Sequence, residues 1–510
     1  DRFRCALRFL AVCRRWRYLA LPVFYDRASY WYDEGDFYNE GPESPYGGPA
    51  SVTVWTNLDI IASAGCAKLV KNVDIDIQFL SNPARCFMRA VQLIRDASAD
   101  WSGVRSLTVN LQPGSSYFEN YHGQNVTDDE ICQAAVDLAA MMPGVRRLWL
   151  NDGAWCSYLT TLYTWLKGIY AEQLYELNDP WNVALIEGMV LRQIRYLNVS
   201  YNDVSRDMLS CTCPDNLEVL RMIGLEESHW WPSFNSAGDS DAAVIEFPRL
   251  RYLALEYHHT HMHTELGDSP ILSPRQQTLR FPGLERLRIE CGSGISPLLE
   301  QAEFPNGVQS MDVIASAGAL CHIANMALSV SQRLALTVTS ATPGSGVVAH
   351  INRILARARG CSEVVLETTT STLPLLPADL ESTALTCLCI RAPTTVDSIV
   401  EFIHRLPRLA TLDLGCVAVH ATQLDILVPG PDEPLIAPLA TALECVSVQF
   451  EYNARPEETV SLLKYLLLRI PTLVKLASYA TPRQPIVDFV ARYFGSYPHL
   501  AQVKILVNGM

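Results

Sequence analysis

The chain has 510 residues, of which 49% are hydrophobic and 18% are charged, a composition that excludes wholesale disorder and supplies ample apolar surface for a folded core. Its formal net charge of -14 repels phosphate backbones and so excludes a general nucleic-acid binder. The 15 cysteines, irregularly spaced, indicate reduced thiols rather than a disulfide framework, which predicts a cytoplasmic or nuclear protein.

The first predicted element is an amphipathic helix over residues 9–21, which Pro22 ends. Residues 1–27 carry seven arginines against two aspartates, a balance opposite to that of the whole chain. A nucleic-acid grip would need aromatic side chains free to stack, whereas Trp16 lies on the apolar face of the helix. A membrane-surface helix would need a longer apolar face. We therefore predict a docking or core helix that binds neither nucleic acid nor membrane.

An acidic stretch rich in glycine and proline follows. From Ala28 to Ala67 there is no lysine or arginine, and the middle reads GPESPYGGPA. Such a composition is typical of a linker or surface loop, and we predict one over residues 31–56. A helix is predicted near residues 57–64, where a third region, 57–510, begins.

An apolar triplet with the spacing i, i+3, i+5 recurs through this third region. The copies are Val70/Val73/Ile75, Val104/Leu107/Val109, Val145/Leu148/Leu150, Ile194/Leu197/Val199, Leu217/Leu220/Met222, Leu250/Leu253/Leu255, Leu284/Leu287/Ile289, Val308/Met311/Val313, Cys361/Val364/Leu366, Leu385/Leu388/Ile390, Leu409/Leu412/Leu414, Leu443/Val446/Val448 and Leu500/Val503/Ile505, with a weaker copy at Leu473/Leu476. An apolar-Pro pair precedes eight of them, in MPGV, CPDNL, FPRL, FPGL, FPNGV, LPRL, IPTL and YPHL. Because proline ends a helix and favours extended chain, each pair predicts a turn before a short strand.

Amphipathic helices are predicted between the triplets. In TDDEICQAAVDLAAMM, the capping box formed by Thr127 and Glu130 precedes apolar residues spaced for one helical face. The repeating unit is thus helix, proline turn and strand, and it must stack on its neighbours to bury its apolar face. The units resemble leucine-rich repeats: the stretch from Ile194 to Asn202, IRYLNVSYN, fits the whole pattern, including the asparagine of the turn.

The opening stretch LAVCRRWRYLALPVFY resembles the C-terminal half of an F-box over about residues 5–30, a match carried by a Val-Cys-Arg-x-Trp-Arg helix and a Leu-Pro turn. With the repeats behind it, the chain resembles fungal F-box proteins with leucine-rich-repeat-like C-terminal regions. The resemblance implies an α/β fold, an irregular leucine-rich-repeat-like solenoid over residues 57–510 preceded by a short helical F-box remnant over residues 1–30. The residues it assigns to adaptor docking or the F-box core are Leu10, Val12, Cys13, Trp16, Leu19, Leu21 and Pro22.

The same resemblance implies a substrate-recognition subunit of a Skp-cullin-F-box ubiquitin ligase, with a Skp-type adaptor, a cullin-RING ligase and an unknown target protein as partners. In a leucine-rich repeat the variable positions between the apolar ones form the concave, partner-binding face. The residues predicted for that target-binding face are Arg147, Trp149, Tyr196, Asn198, Arg221, Tyr252, Glu256, Arg288, Glu290 and Asp413. A repeat scaffold with no ubiquitin role, in which the first helix only caps the solenoid, is the alternative.

Three local patterns point to other chemistry but lack the residues that would complete it. The run HHTHMH, residues 258–263, has no cysteine or carboxylate pair beside it to complete a zinc or copper site. The pairs Cys211-x-Cys213 and Cys387-x-Cys389 lack the spacing of zinc knuckles. Gly344 and Gly346 approximate a dinucleotide fingerprint, which would make the chain a nucleotide-using enzyme, but Pro343 and further residues separate them from the strand. We predict no enzyme activity, cofactor or metal.

Overall fold

The computed structural model describes residues 21, 23, 25–33, 53–79, 83–113, 127–152, 157–180, 189–200, 212–223, 244–256, 278–291, 299, 302–339, 346–368, 384–392, 394–395, 399, 403–418, 442–450, 456–479, 483–493, 495 and 497–508. It is a mixed α/β fold whose strands pair mostly in parallel. The strands and helices divide into two compact units, unit 1 with strands β1–β9 and helices α1–α4, and unit 2 with strands β10–β22 and helices α5–α8.

Unit 1 is built on a sheet in the order β2-β1-β3-β4-β5-β6-β7-β8. All its pairs are parallel except β1 with β2. Its strands are β1 Arg27–Asp33, β2 Thr53–Thr56, β3 Asn72–Phe79, β4 Ser106–Pro113, β5 Arg147–Asp152, β6 Glu176–Asp179, β7 Tyr196–Ser200, β8 Val219–Ile223 and β9 Val244–Glu246. Its helices are α1 Leu58–Ala64, α2 Pro83–Ala97, α3 Asp128–Met141 and α4 Ser157–Tyr170.

Unit 2 is built on a parallel sheet in the order β10-β12-β14-β15-β16-β17-β19-β20-β21-β22. Its strands are β10 Tyr252–Glu256, β11 Thr278–Arg280, β12 Arg286–Cys291, β13 Ala302–Glu303, β14 Val308–Ala315, β15 Val330–Val338, β16 Glu363–Thr368, β17 Cys387–Arg391, β18 Thr394–Thr395, β19 Thr411–Ala418, β20 Cys445–Phe450, β21 Lys475–Tyr479 and β22 Lys504–Asn508. Its helices are α5 Ala317–Ile323, α6 Val347–Arg357, α7 Pro456–Arg469 and α8 Arg483–Tyr493.

The apolar triplets form the core of each unit. In unit 1 the second residue of each triplet aligns across the sheet and is buried, as at Val73, Leu107 and Leu148. In unit 2, Leu287, Met311 and their counterparts do the same. Alternate residues of a strand point to opposite faces, so this alignment leaves the residues between them on the other, exposed face. The helices pack on the buried side, where α2 contacts β3 and α5 contacts β14.

The proline turns are confirmed. Each of the eight apolar-Pro pairs lies at a turn or a short 3-10 helix, and a strand follows within a few residues. Two consecutive N–H groups at the start of a strand then donate to one carbonyl just before the preceding strand. Arg146 and Arg147, for example, donate to the Arg105 oxygen at 2.8 and 3.0 Å. In the turn before β14, Gly307 has a φ of 65°, which a side chain would strain.

The predicted helices are confirmed where they lie in the described residues. Helix α3 begins with the complete capping box, in which the Thr127 hydroxyl accepts from the Glu130 N–H and the Glu130 carboxylate accepts from the Thr127 N–H. Helix α1 spans Leu58–Ala64 within the stretch predicted for it. Helices α6, α7 and α8 likewise lie between strands, as the repeating unit of helix, turn and strand predicts.

The structure differs from the sequence-based predictions in its first strands, in strands that the triplets missed and in the register of the last strand. Strands β1 and β2 already belong to the sheet, so it begins at Arg27, within the region predicted as F-box remnant and linker. Strand β6, centred on Leu177, and strand β15, centred on Leu334, carry no predicted triplet. The predicted triplet at Leu500/Val503/Ile505 is out of register, because Ile505 pairs with Leu476 and therefore occupies the second position.

Candidate binding face

The exposed sheet face of unit 1 carries five of the predicted contact residues. Arg147 and Trp149 lie on β5, Tyr196 and Asn198 on β7, and Arg221 on β8. Asn198 pairs in register with Arg221, so both side chains lie on the same face. The parallel register thus brings residues of three strands, which lie between positions 147 and 221 of the sequence, onto one surface.

Trp149 and Tyr196 are large aromatic side chains left partly open to solvent, 42% and 38% exposed. Glu176, on the strand between them, accepts a hydrogen bond from the Trp149 indole N–H at 2.9 Å. The Tyr196 hydroxyl donates to Glu218 at 3.2 Å. The polar edges of both rings are therefore fixed by carboxylates, while part of each ring surface stays accessible.

Arg147 joins this group from one side. Its Nε lies 3.5 Å from the Glu176 carboxylate and also bonds the Tyr175 hydroxyl, and its guanidinium lies 5.3 Å from the Tyr175 ring centre. Tyr175 packs edge-on against Tyr196 with ring centres 6.2 Å apart. Aromatic and arginine side chains held in this way are typical anchors of protein interfaces.

One aspartate and four asparagines stand on neighbouring strands across the same face, and we call this row the amide ladder: Asp76, Asn110, Asn151, Asn178 and Asn198. The Asn198 amide donates to Asn178, and the Asn178 amide donates to the Asn151 oxygen at 3.3 Å. At the other end, the Asn110 amide donates to Asp76 at 3.1 Å. Each asparagine amide has two N–H donors, so the ladder leaves hydrogen-bonding capacity for another chain.

Sequence reasoning found only Asn198 of this ladder. The signal for the others was present, because Asn110, Asn151 and Asn178 alternate with the buried apolar residues of β4, β5 and β6. Their contact depends on the register of neighbouring strands, since Asn110 pairs with Asn151 and Asn178 pairs with Asn198. Asp76 ends the ladder. The pKa of its carboxyl is raised, and burial is the main cause.

The exposed sheet face of unit 2 carries the other predicted contact residues, and three of them form one ion-pair group. The Arg288 Nε lies 3.1 Å from Glu256, and its two terminal nitrogens lie 3.7 Å from Glu290 and 3.9 Å from Asp312. Glu256 is buried. The arrangement satisfies a buried carboxylate, so a structural role accounts for it as well as a binding role.

A groove of about 490 Å³ lies beside this group. Tyr252 and Arg288 line it together with Arg286, Ser310 and Arg333. Arg333 is paired with Glu363 at 3.1 Å, whereas the exposed Arg286 makes no ion pair with any residue that the structure describes. The groove is therefore polar, with one guanidinium available.

Asp413 is separated from this group by several strands. It lies on β19, where its carboxylate accepts from the Cys389 thiol at 3.6 Å. Burial, followed by the charge of Asp413, raises the pKa of Cys389 to about 11. The thiol is thus protonated at neutral pH, which makes it a poor nucleophile. Cys387 and Cys389 both lie on strand β17, and both are free thiols.

One buried ion pair was not predicted. The Lys167 ammonium of α4 and the Asp179 carboxylate at the end of β6 lie 2.6 Å apart, and both side chains are 0% exposed. Asp179 stands where the third apolar residue of a triplet would lie, after the buried Leu174 and Leu177. A buried carboxylate needs a counter-charge, and the helix packed on this strand supplies it.

Of the residues predicted for adaptor docking, Leu21 is described, and its carbonyl accepts the Tyr25 N–H at 3.0 Å. Gly346 precedes α6 as its N-cap residue and has a φ of 70°. The remaining predicted features lie outside the described residues: Leu10, Val12, Cys13, Trp16, Leu19, Pro22, Asn202, Cys211, Gly344, the histidine run 258–263 and linker residues 34–52.

Within the described part of the chain, no group of three or more histidine, cysteine, aspartate or glutamate side chains is placed to hold a metal ion. None of the described helices has the length and apolar character needed to cross a bilayer. A scan against protein-family models found no match to this chain, and a search of curated proteins found no related sequence.

Proposed function

We propose that this chain is the non-catalytic substrate-recognition subunit of a Skp-cullin-F-box ubiquitin ligase. In this proposal the repeats of helix, turn and strand form a leucine-rich-repeat-like solenoid, and its exposed sheet faces bind a target protein. The segment from Leu10 to Pro22 docks on a Skp-type adaptor, as its likeness to half of an F-box implies. The adaptor links the target to a cullin-RING ligase, which performs the chemistry.

The observation that carries the repeat part of this proposal is the order of the strands. Strands β3 to β8 follow one another in the sheet as they do in the chain, all parallel and with their apolar positions in register. The same holds from β14 to β17. Stacked repeats produce this order, because each repeat contacts only its neighbours.

The composition of the exposed faces supports binding of a protein partner. The unit 1 face presents Trp149, Tyr196 and Arg147 beside hydrogen-bonding amides, and these are residue types that anchor protein interfaces. Each ring is held at one edge by a carboxylate, so little side-chain freedom is lost on binding.

The adaptor part is tested by co-expression of a Skp-type adaptor with the chain. We expect a stable complex on size-exclusion chromatography. A matched control, Trp149→Ala, should retain the adaptor, because this exposed side chain lies in unit 1 on the sheet face and not in the docking segment. A folded preparation, verified by circular dichroism, that fails to bind the adaptor would refute the ligase role.

The alternative is a leucine-rich-repeat scaffold without a ubiquitin role, favoured by the same strand order. The two proposals differ in the adaptor alone. If the adaptor does not bind but exchange of amide hydrogens on the sheet faces slows with an identified partner, the scaffold role is the correct one.

A further inference from the structure

The first edge of the unit 1 sheet brings together two tryptophans and three aspartates, which we call the tryptophan–aspartate patch. Trp55 of β2 pairs in register with Trp31 of β1, and Trp31 pairs with Asp76 of β3. Asp33 and Asp74 stand two residues from Trp31 and Asp76 and so lie on the same face. Trp55 is 58% exposed, an unusually open position for a tryptophan in a sheet.

The charge of this patch is negative. Arg27 pairs with Asp74 at 3.1 Å, but no lysine or arginine among the described residues forms an ion pair with Asp76. The connection from β1 to β2, residues 34–52, adds four carboxylates and no basic residue to the sequence. The electrostatic field at this edge of the sheet therefore favours a cationic partner.

The residue types in the patch suit a cation chemically. Tryptophan is the side chain that attracts a cation most strongly over its ring face. Asp76 is partly desolvated, which raises the pKa of its carboxyl, and none of the described lysines and arginines forms an ion pair with it. An incoming ammonium or guanidinium would therefore stabilise its charged form. Trp31 and Trp55 can also pack on the aliphatic part of a lysine or arginine side chain.

We propose that the tryptophan–aspartate patch binds a lysine or arginine side chain of an extended target segment whose main chain is held by the amide ladder. The ladder begins at Asp76, so patch and ladder share a residue. Asparagine amides can both donate to and accept from peptide groups. The inference rests on the proposed role as a receptor and names the chemistry of the target segment.

The length of such a segment follows from the sheet. Neighbouring strands lie about 4.8 Å apart, so the ladder from β3 to β7 spans about 19 Å, and adding β1 and β2 gives about 29 Å. An extended chain rises about 3.4 Å per residue, and a segment of about nine residues therefore covers patch and ladder.

The test is fluorescence anisotropy of the full chain with a labelled peptide of about nine residues in which lysine and serine alternate. A peptide of equal length with glutamate in place of lysine, and one with acetyl-lysine, are the comparisons. We expect the lysine peptide to bind, the acetylated one to bind several-fold more weakly, and the glutamate one not to bind. No binding of the lysine peptide, or equal binding of all three, would overturn the proposal.

Two variants locate the binding. Trp55→Ala should lower the affinity for the lysine peptide about two- to five-fold, as expected for an exposed cation–π contact. Asp76→Asn should weaken it up to about five-fold. Matched controls are Trp165→Ala, an exposed tryptophan of α4, and Asp96→Asn, an exposed aspartate of α2. Equal losses in the variants and their controls would place the binding elsewhere and contradict the proposal.

Other occupants of the patch give other results. If the chain's own arginine-rich opening residues or a second copy covered the patch, the lysine peptide would not bind the full chain, and the proposal would fail. The tryptophan–aspartate patch takes no part in the proposed adaptor binding. Failure of the chain to bind the adaptor would therefore leave peptide binding intact. A peptide that binds while the adaptor does not would refute the ligase role alone.

Discussion

The two units share one kind of core and differ in what they expose. On the unit 1 face, tryptophan and tyrosine rings stand among asparagines and a few carboxylates. On the unit 2 face, the region around Arg288 is a net of ion pairs, and strands β17 to β20 present small residues such as Cys387, Thr411 and Ser447. The same arrangement of helix, turn and strand can thus carry a face with accessible aromatic rings or a face whose charged groups pair with one another.

The difference teaches where each kind of information lies in the sequence. The core positions are apolar in both units and obey one spacing, because each strand buries the same face against the helices. The residue types at the exposed positions do not repeat from strand to strand, and the contacts of each side chain depend on the neighbouring strand. Experiments on pairs of equivalent positions in the two units therefore separate what the fold needs from what binding needs.

The largest effect is expected where unit 1 departs from the shared core. Lys167→Met should destabilise the protein by about 3–5 kcal/mol, because it leaves the Asp179 carboxylate buried and uncompensated. Adding Asp179→Leu should restore most of the stability, since unit 2 has apolar residues such as Val313 and Leu336 at the corresponding position. All 10 tryptophans precede residue 232, so unfolding of unit 1 can be followed by tryptophan fluorescence in denaturant. A double variant as unstable as the single one would contradict this account.

Equivalent core changes should cost the two units about the same. Leu150→Ala in β5 and Leu336→Ala in β15 each remove a fully buried side chain, with an expected cost of about 2–5 kcal/mol. Leu150→Ala should shift the unfolding midpoint seen by tryptophan fluorescence. Leu336→Ala should shift the midpoint seen by far-ultraviolet circular dichroism, because unit 2 contributes no described tryptophan. If either change costs less than about 1 kcal/mol, the shared-core argument is wrong for that unit.

Arginines on the two faces should differ in importance. Arg288→Ala leaves the buried Glu256 without its 3.1 Å partner, at an expected cost of about 1–3 kcal/mol. Arg147→Ala removes an ion pair whose arginine side chain is half exposed, at an expected cost of at most about 1 kcal/mol. The comparison is made by thermal or chemical unfolding. The reverse order of losses would mean that the unit 1 face, and not the unit 2 face, is built for stability.

The mixed α/β fold and many of its strands were predictable from the sequence, and the strands that were missed have physical causes. Strand β6 was missed because Asp179 replaces an apolar residue and is neutralised by Lys167, a contact that spacing does not reveal. Strand β15 was missed because a register irregularity after Val308 and Val330 separates the apolar residues by one extra position.

The candidate face was predictable only in part. Trp149 and Tyr196 could be named from their positions between apolar residues, whereas Trp31 and Trp55 lie in strands without a triplet. The amide ladder depends on contacts between residues 20 to 34 positions apart, as from Asn178 to Asn198 and from Asp76 to Asn110. Such contacts are set by strand register, which follows from the whole sheet and not from a local pattern.

The smallest effect sharpens the comparison through pH. Burial chiefly raises the pKa of Asp76 above its ordinary 3.8, so the folded state holds this proton to higher pH than the unfolded state does. The stability that the protonated carboxyl contributes is therefore complete below pH 3.8 and is lost as the pH rises through the folded-state pKa. Asp76→Asn should then be more stable than the unaltered protein at neutral pH, with the difference vanishing in acid.

The matched change in unit 2 is Asp312→Asn. Asp312 lies 3.9 Å from Arg288, so this change removes an attraction and should give no gain in stability at neutral pH. Denaturant unfolding of both variants at about pH 7 and about pH 3.5 makes the comparison, with each variant measured against the unaltered protein. A gain for Asp312→Asn as large as that for Asp76→Asn would show that both carboxylates are merely unfavourable charges on an acidic protein. A gain confined to Asp76→Asn means that unit 1 keeps, on its exposed face, a carboxylate that the fold alone disfavours and that a cationic partner would stabilise.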